Sequence, residues 1–328
     1  MQDGNENPAP AEARPMTKRL AACVRRGVVG GVRQAAWLLA VMLPISLVVT
    51  LLRFYGALGA VARLLEPAFR LIGLPGETAV ACITAAAVNI YAGIAALGSI
   101  ALTDRQVTIL ALFMLVCHNL PFESAVQHKA GASGWRVVVL RVTAAVVAAV
   151  VLNALLPAAV GEARTRTVAA EQADTLGALV AAWAVGTARF VGKVLLIVIG
   201  LMILHRALED FGLARRLARL LAPVLWLMGL PRRTAFLWIV ANTLGLAYGS
   251  AVIIEQSRNG RSRDREAALL NASIAVCHSL LEDTLLFVAI GAWALWITAP
   301  RVALAAAVAW GLRIWYHIRP SRGPEPAP

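Results

Sequence analysis

Charge is scarce in this chain: Asp, Glu, Lys and Arg make up 15% of its 328 residues, against about 25% in an ordinary soluble domain. That shortage speaks against a water-soluble globule. Acids are rarer still, 18 against 31 basic residues, but the resulting +13 charge does not point to nucleic acid. The arginines come in short bursts between apolar runs, which suits anchoring at a membrane interface, and an embedded chain has little free surface for nucleic acid. Cysteine is sparse, with Cys23, Cys82, Cys117 and Cys277 far apart, which is no disulfide framework. There is no phosphate-cradling glycine loop, Walker motif or nucleophile–base pair, so ATP-driven work and catalysis are not indicated. No small-residue cleavage site follows a short apolar core, so no removable signal peptide is expected. Apolar segments are continuous rather than alternating in polarity, which speaks against a transmembrane barrel.

What is present is apolar: 59% of the residues, with a mean hydropathy of +0.72. Runs of roughly 17–25 apolar residues, each long enough to cross a bilayer, recur along the chain. The expected fold is an all-α polytopic membrane protein of about eight transmembrane helices in two homologous repeats, with amphipathic or re-entrant segments. The duplication is visible directly. "ARLLEPAFRLIGLP" (62–75) and "ARLLAPVLWLMGLP" (218–231) agree at 9 of 14 positions, 156 residues apart. The register extends back to Arg33 and Arg189, and forward to "VCHNL" (116–120) and "VCHSL" (276–280), where the offset is 160. The chain divides into a polar, basic tail (1–29), a first repeat (30–158), a polar linker (159–185), a second repeat (186–318) and a Pro-rich tail (319–328) expected to be disordered.

Each repeat is expected to hold a crossing helix, an amphipathic stretch ended by Gly-Leu-Pro, a second helix (77–101; 233–256), a helix bearing Cys-His (106–122; 266–281) and a last one (135–157; 301–317). "SAVQHKAGASGW" after the first acid reads as a polar loop, whereas the matching "TLLFVAIGAWAL" is apolar. Four crossings per repeat would make the repeats parallel; one re-entrant segment would invert them.

An ionisable residue within a span is costly, and is therefore a candidate functional group. The candidates are His118 and Glu123 in one repeat, and His278, Glu282 and Asp283 in the other. On a continuous helix His118 and Glu123 lie about 140° apart and would not converge. Pro121 between them is the expected break. Asn119 shares a face with Glu123, and Ser279 with Asp283. Cys117, His118, Cys277 and His278 also form a plausible ligand set for zinc, copper(I) or iron, with ligands drawn from both repeats. The second helices carry Asn89, Tyr91, Asn242, Thr243 and Tyr248, which offer hydrogen bonds to a polar solute or across a helix interface.

At these residues the chain resembles the nucleoside-recognition, or Gate-domain, membrane proteins: a duplicated "LLxPxxxLxGLP", a Gly/Asn-rich helix, then "VCH" and an acid. That family is similar to the cores of concentrative nucleoside transporters, the gates of the bacterial ferrous-iron transporter B, and the spore maturation proteins A and B. The resemblance implies a helical transport core of two repeats around a central site, without fixing the substrate. No counterpart of the iron transporter's GTP-binding domain is expected in these 328 residues. The expectation is a multi-pass protein of a bacterial-type inner membrane that moves a small polar solute and has no cofactor. The alternatives are a transition-metal permease, with the metal as substrate, and a non-transporting scaffold in a larger complex. Expected partners are the bilayer, the solute or metal ion, and further copies of the chain.

Overall fold

The computed structural model describes residues 15–97, 100–157, 163–164, 175–231, 234–243 and 264–318. Nearly all of these are helical. Six helical segments are long and apolar enough to cross a bilayer: Met16–Leu52, Asp104–Lys129, Gly134–Leu155, Leu176–Asp210, Arg265–Val288 and Ala294–Ile318.

The chain begins with α1 (Met16–Phe54) and, after Gly56, the amphipathic α2 (Ala57–Leu71). Helix α2 ends in Gly73 at φ 73°, with the Leu74 N–H donating to the Phe69 carbonyl at 3.0 Å. This is the left-handed glycine stop expected of Gly-Leu-Pro, and Gly229 repeats it with Leu230 donating to Leu225. Glu66 accepts from Arg70 Nε at 2.8 Å and from the Gly76 N–H, which holds its carboxyl below the usual range.

The second segment does not cross. It splits into α3 (Thr78–Ala87) and α4 (Ile90–Ala96), and α4 folds back on α3. A Cβ added at Gly93 would lie 2.5 Å from Ala85 Cβ and 2.9 Å from the Ala81 carbonyl oxygen, so only glycine permits that approach. Asn89 sits at the tip and caps α4, its Oδ1 accepting from the Ala92 N–H at 2.8 Å. A two-residue strand, β1 (Leu102–Thr103), leads into α5 (Asp104–Cys117), α6 (Leu120–Lys129) and α7 (Gly134–Leu155). A reciprocal Thr103–Gln106 capping box starts α5. Strand β2 (Ala163–Arg164) pairs antiparallel with β1.

The second repeat runs through α8 (Leu176–Asp210), α9 (Leu213–Leu227), α10 (Ala235–Thr243), α11 (Asp264–Val276), α12 (Leu280–Val288) and α13 (Ala294–Ile318). Among the described residues the crossings number six, against about eight expected: 77–101 dips in and returns, and most of the matching 233–256 lies outside the described residues. "SAVQHK" is also not a loop: it completes α6, with Ser124 and Gln127 buried.

Helices α1 and α8 are repeat equivalents, and they pack antiparallel. Arg19 Nη2 donates to the Asp210 carbonyl at 3.0 Å, and Trp183 Nε1 donates to Ser46 Oγ at 3.2 Å. Between those ends, a Cβ on Gly27 would fall 2.6 Å from Ile203 Cα, and one on Gly31 2.7 Å from Ile199 Cα, so small residues four apart bring the backbones together. Equivalent helices running in opposite directions make the repeats inverted, as three crossings per repeat require.

The six crossings define two faces. The start of α1, the α6–α7 turn, α9 and the end of α13 share the first face. The α4–α5 connection, the β1–β2 pair and the α12–α13 turn share the second, where the Trp293 N–H donates to Thr108 Oγ1 at 3.1 Å. Leu64 and Leu220, equivalent positions on α2 and α9, are 79% and 73% exposed. Such surface is unfavourable in water and suits lipid at opposite interfaces. Inside, Ala145, Ala149, Ala305 and Ala309 are completely buried and let α7 and α13 approach the broken helices closely.

Candidate functional site

The site forms where two crossing helices break. Helix α5 ends at Cys117, His118 is extended, and Asn119 takes the left-handed conformation at φ 47° before α6 begins. In the second repeat Ser279 does the same at φ 49° between α11 and α12. Pro121 is therefore not the cause of the first break. It occupies the opening turn of α6, where a missing N–H costs little, and the second break contains no proline. In both repeats the break is tied to the neighbouring short helix. The Asn119 N–H donates to the Ala85 carbonyl at 2.7 Å, and the Ser279 N–H to the Ala241 carbonyl at 3.2 Å.

The break turns His118 and Glu123 toward one another, with Nε2 and Oε1 3.2 Å apart. His278 arrives from the other repeat, its Nε2 3.2 Å from Glu123 Oε2, and the imidazole centroids lie 5.2 Å apart. Each Nδ1 faces a backbone carbonyl, Met114 at 3.0 Å for His118 and Ile274 at 2.8 Å for His278. A carbonyl only accepts, so each Nδ1 carries the hydrogen. A neutral His118 would then turn its Nε2 lone pair toward the carboxylate, which repels, and His278 Nε2, although 3.2 Å from Glu123 Oε2, makes no hydrogen bond among the described residues. The 3.2 Å contacts become attractive when a proton or another cation sits on Nε2.

Two arginines absent from the sequence-level candidates complete the site. Arg141, fully buried, donates from Nη1 to Glu123 Oε2 at 2.6 Å and from Nε to the Val116 carbonyl at 2.8 Å. Its equivalent Arg301, also fully buried, donates to the His278 carbonyl and makes a long 3.5 Å contact with Thr284 Oγ1. Both cations thus meet carbonyls that the helix breaks leave without helical partners, at the negative end of a helix dipole. The signal was available: "RVTAAVVAA" (141–149) and "RVALAAAVA" (301–309) share the 160-residue offset of the Cys-His pairs.

Asp283 is Glu123's equivalent and is buried. Its Oδ2 has no hydrogen-bond partner among the described residues, nor do Arg141 Nη2 and Arg301 Nε. Tyr91 donates to Glu282 Oε1 at 2.8 Å, linking the first repeat's hairpin to the second repeat's α12. Asn242 turns inward instead, giving Nδ2 to the Trp238 carbonyl at 3.0 Å and accepting from Cys277 Sγ at 3.9 Å; Thr243 bonds back to Ile239. Of the sulfur and nitrogen ligands expected, the structure brings His118 and His278 together with Glu123, their ligand atoms within 4.8 Å of one another. Cys117 and Cys277 are buried and stand outside that group. Tyr248 lies outside the described residues.

Inverted repeats, helices broken at matching points and a charged cluster between them define a membrane protein of transporter type. Comparison with known proteins agrees. The family model Gate, described as nucleoside recognition, matches residues 35–135 and 191–293, so the chain belongs to the nucleoside-recognition (Gate) family. It is 32% identical over 286 residues to an uncharacterized membrane protein, YvoD, of Bacillus subtilis (strain 168), covering 84% of this chain and 92% of that one. No solved structure matches it.

Proposed function

We propose that the protein is an inner-membrane permease that moves a small polar solute between its inverted halves in step with a cation, a proton in the first instance, held by His118, Glu123 and His278. The observation that carries this reading is the arrangement of the two Nε2 atoms around one carboxylate, with both Nδ1 atoms already committed to carbonyls. Such a cluster is cohesive with a cation aboard and strained without one, which couples loading to conformation. Histidine titrates in the physiological range. The open donors and acceptors of Arg141, Arg301 and Asp283 are polar groups for a solute to meet, because an unmade bond in a dry interior is costly. The family membership supports a transport role.

The orientation follows from the positive-inside rule. Lys18, Arg19, Arg25 and Arg26 open α1 on the first face, joined there by Lys129, Arg136, Arg216 and Arg219. The second face carries fewer among the described residues: Arg53, Arg63, Arg70, Arg105, Arg164 and Lys193. The first face is then cytoplasmic.

The test is flux in proteoliposomes, with and without an imposed pH gradient, against a panel of nucleosides, divalent metals and organic ions. Glu123→Gln should abolish gradient-driven uptake while inserting normally; uptake equal to wild type would overturn the assignment. A second reading has its own observation: three ligand atoms within 4.8 Å suit a divalent transition metal as substrate. Against it stands the Arg141 guanidinium at 2.6 Å from the same carboxylate. Metal uptake that needs both histidines and ignores the pH gradient would favour that reading.

A further inference from the structure

In inverted repeats, equivalent positions line opposite half-pathways. A polar residue in one repeat matched by an apolar one in the other therefore marks a difference between the two faces. Gln127 and Phe287 are such a pair, 160 residues apart, and so are Ala111 and Asn271. Gln127 is completely buried, and neither of its amide atoms has a partner among the described residues. Ser124 Oγ, one turn away on α6, is also buried and unpartnered. Asn271 gives Nδ2 to the Ala130 carbonyl at 3.0 Å, at the end of α6, and leaves Oδ1 unpartnered.

These groups lie between the central cluster and the first face. Gln127 stands one turn beyond Glu123 toward the α6–α7 turn, on the same side of α6. Asn271 stands one turn before Ile274, whose carbonyl holds His278 Nδ1. The matching column on the second face holds Phe287 and Ala111, both completely buried; only Ser124 keeps a polar counterpart there, Thr284, whose Oγ1 lies 3.5 Å from Thr298 Oγ1 and Arg301 Nη1. A crevice of about 180 Å³ does open on that face, lined by apolar side chains such as Leu97, Val107 and Ile290 and by the charged Asp104 and Lys193, none of which belongs to the column of Phe287 and Ala111.

We propose that Ser124, Gln127 and Asn271, buried in the conformation described, line a half-pathway that admits water to Glu123 when the face where α1 begins and α13 ends opens, and that Phe287 seals its counterpart. The inference rests on the permease reading for its purpose, since a half-pathway serves transport, but its test needs no solute. Failed flux and failed access are thus separate results.

The test is thiol access from each side of sealed vesicles of both orientations, using a membrane-impermeant cationic methanethiosulfonate. The native thiols Cys23, Cys82, Cys117 and Cys277 are buried, so the unaltered chain sets the background. Ser124→Cys and Gln127→Cys should react at least about ten-fold faster from the first face than from the second, because reactivity follows access. Phe287→Cys should react from neither. Ser124→Cys is nearly isosteric and keeps the test alive if Gln127→Cys fails to insert. Silence of both variants from the first face, while the exposed control Lys129→Cys reacts there, overturns the half-pathway. Equal reaction of Phe287→Cys from the second face overturns the asymmetry.

Discussion

Arg141 offers the sharpest test of how the site is held. Its guanidinium has no exposed surface and spends two donors, one on Glu123 Oε2 at 2.6 Å and one on the Val116 carbonyl at 2.8 Å. Arg141→Met removes the charge and keeps most of the volume, leaving the Glu123 carboxylate buried without its fixed cation. Breaking one side of a buried pair costs about 3–5 kcal/mol, and the orphaned carbonyl adds about 1–3 kcal/mol where it cannot rehydrate. Glu123→Gln alone strands the guanidinium and should cost a similar ~3–5 kcal/mol. The double variant strands neither charge, so its loss should fall short of the summed single losses by about 2 kcal/mol or more. Reversible unfolding of the four proteins in mixed micelles, followed by circular dichroism, measures the cycle. Coupling below about 0.5 kcal/mol would refute the claim that these two groups hold each other in place.

Gly31→Leu drives side-chain atoms into the Ile199 backbone and should cost at least about 1–3 kcal/mol in the same assay, whereas Gly192, with nothing within 4 Å, should accept alanine within about 0.5 kcal/mol. Asn119→Gly should be tolerated and Asn119→Val should lose about 1–2 kcal/mol, because the left-handed break penalises a branched side chain; equal midpoints for the two would remove the break from the account. Tyr91→Phe deletes the hydroxyl bonded to Glu282 and should cost about 1–3 kcal/mol, while Leu64→Ala on the exposed face of α2 should leave the unfolding midpoint unchanged and weaken only association with lipid.

The duplication, the helical class and the Cys-His-acid segments were legible because each is local: a repeated string, a long apolar run, a charge inside it. A re-entrant segment was expected as one alternative, but its place was not legible, since 77–101 is as long and apolar as a true span. What folds it back is the fit of Gly93 against Ala81 and Ala85, which only assembly reveals. The first helix break was expected, but from Pro121, and the second repeat, with Leu281 at the matching place, offered no such cause. The residues that turn the chain are Asn119 and Ser279, each fixed by a carbonyl on a neighbouring helix. Arg141 and Arg301 sit about two turns inside their helices and passed for boundary charges. Aligning the repeats at the later offset would have exposed them as a matched buried pair. Gln127 was hidden for the opposite reason, having no polar counterpart in the second repeat.

The antiparallel seam between α1 and α8 has one more consequence. A unit with an odd number of crossings, copied head to tail, emerges upside down without any added span. The glycine notch lies on α1 alone, since a Cβ added at Gly186, Gly192 or Gly200 of α8 would meet nothing within 4 Å. The two ends of the joint have therefore diverged: glycines close it where Gly27 and Gly31 meet Ile203 and Ile199, and a side-chain bond from Trp183 to Ser46 holds it at the opposite side of the bilayer.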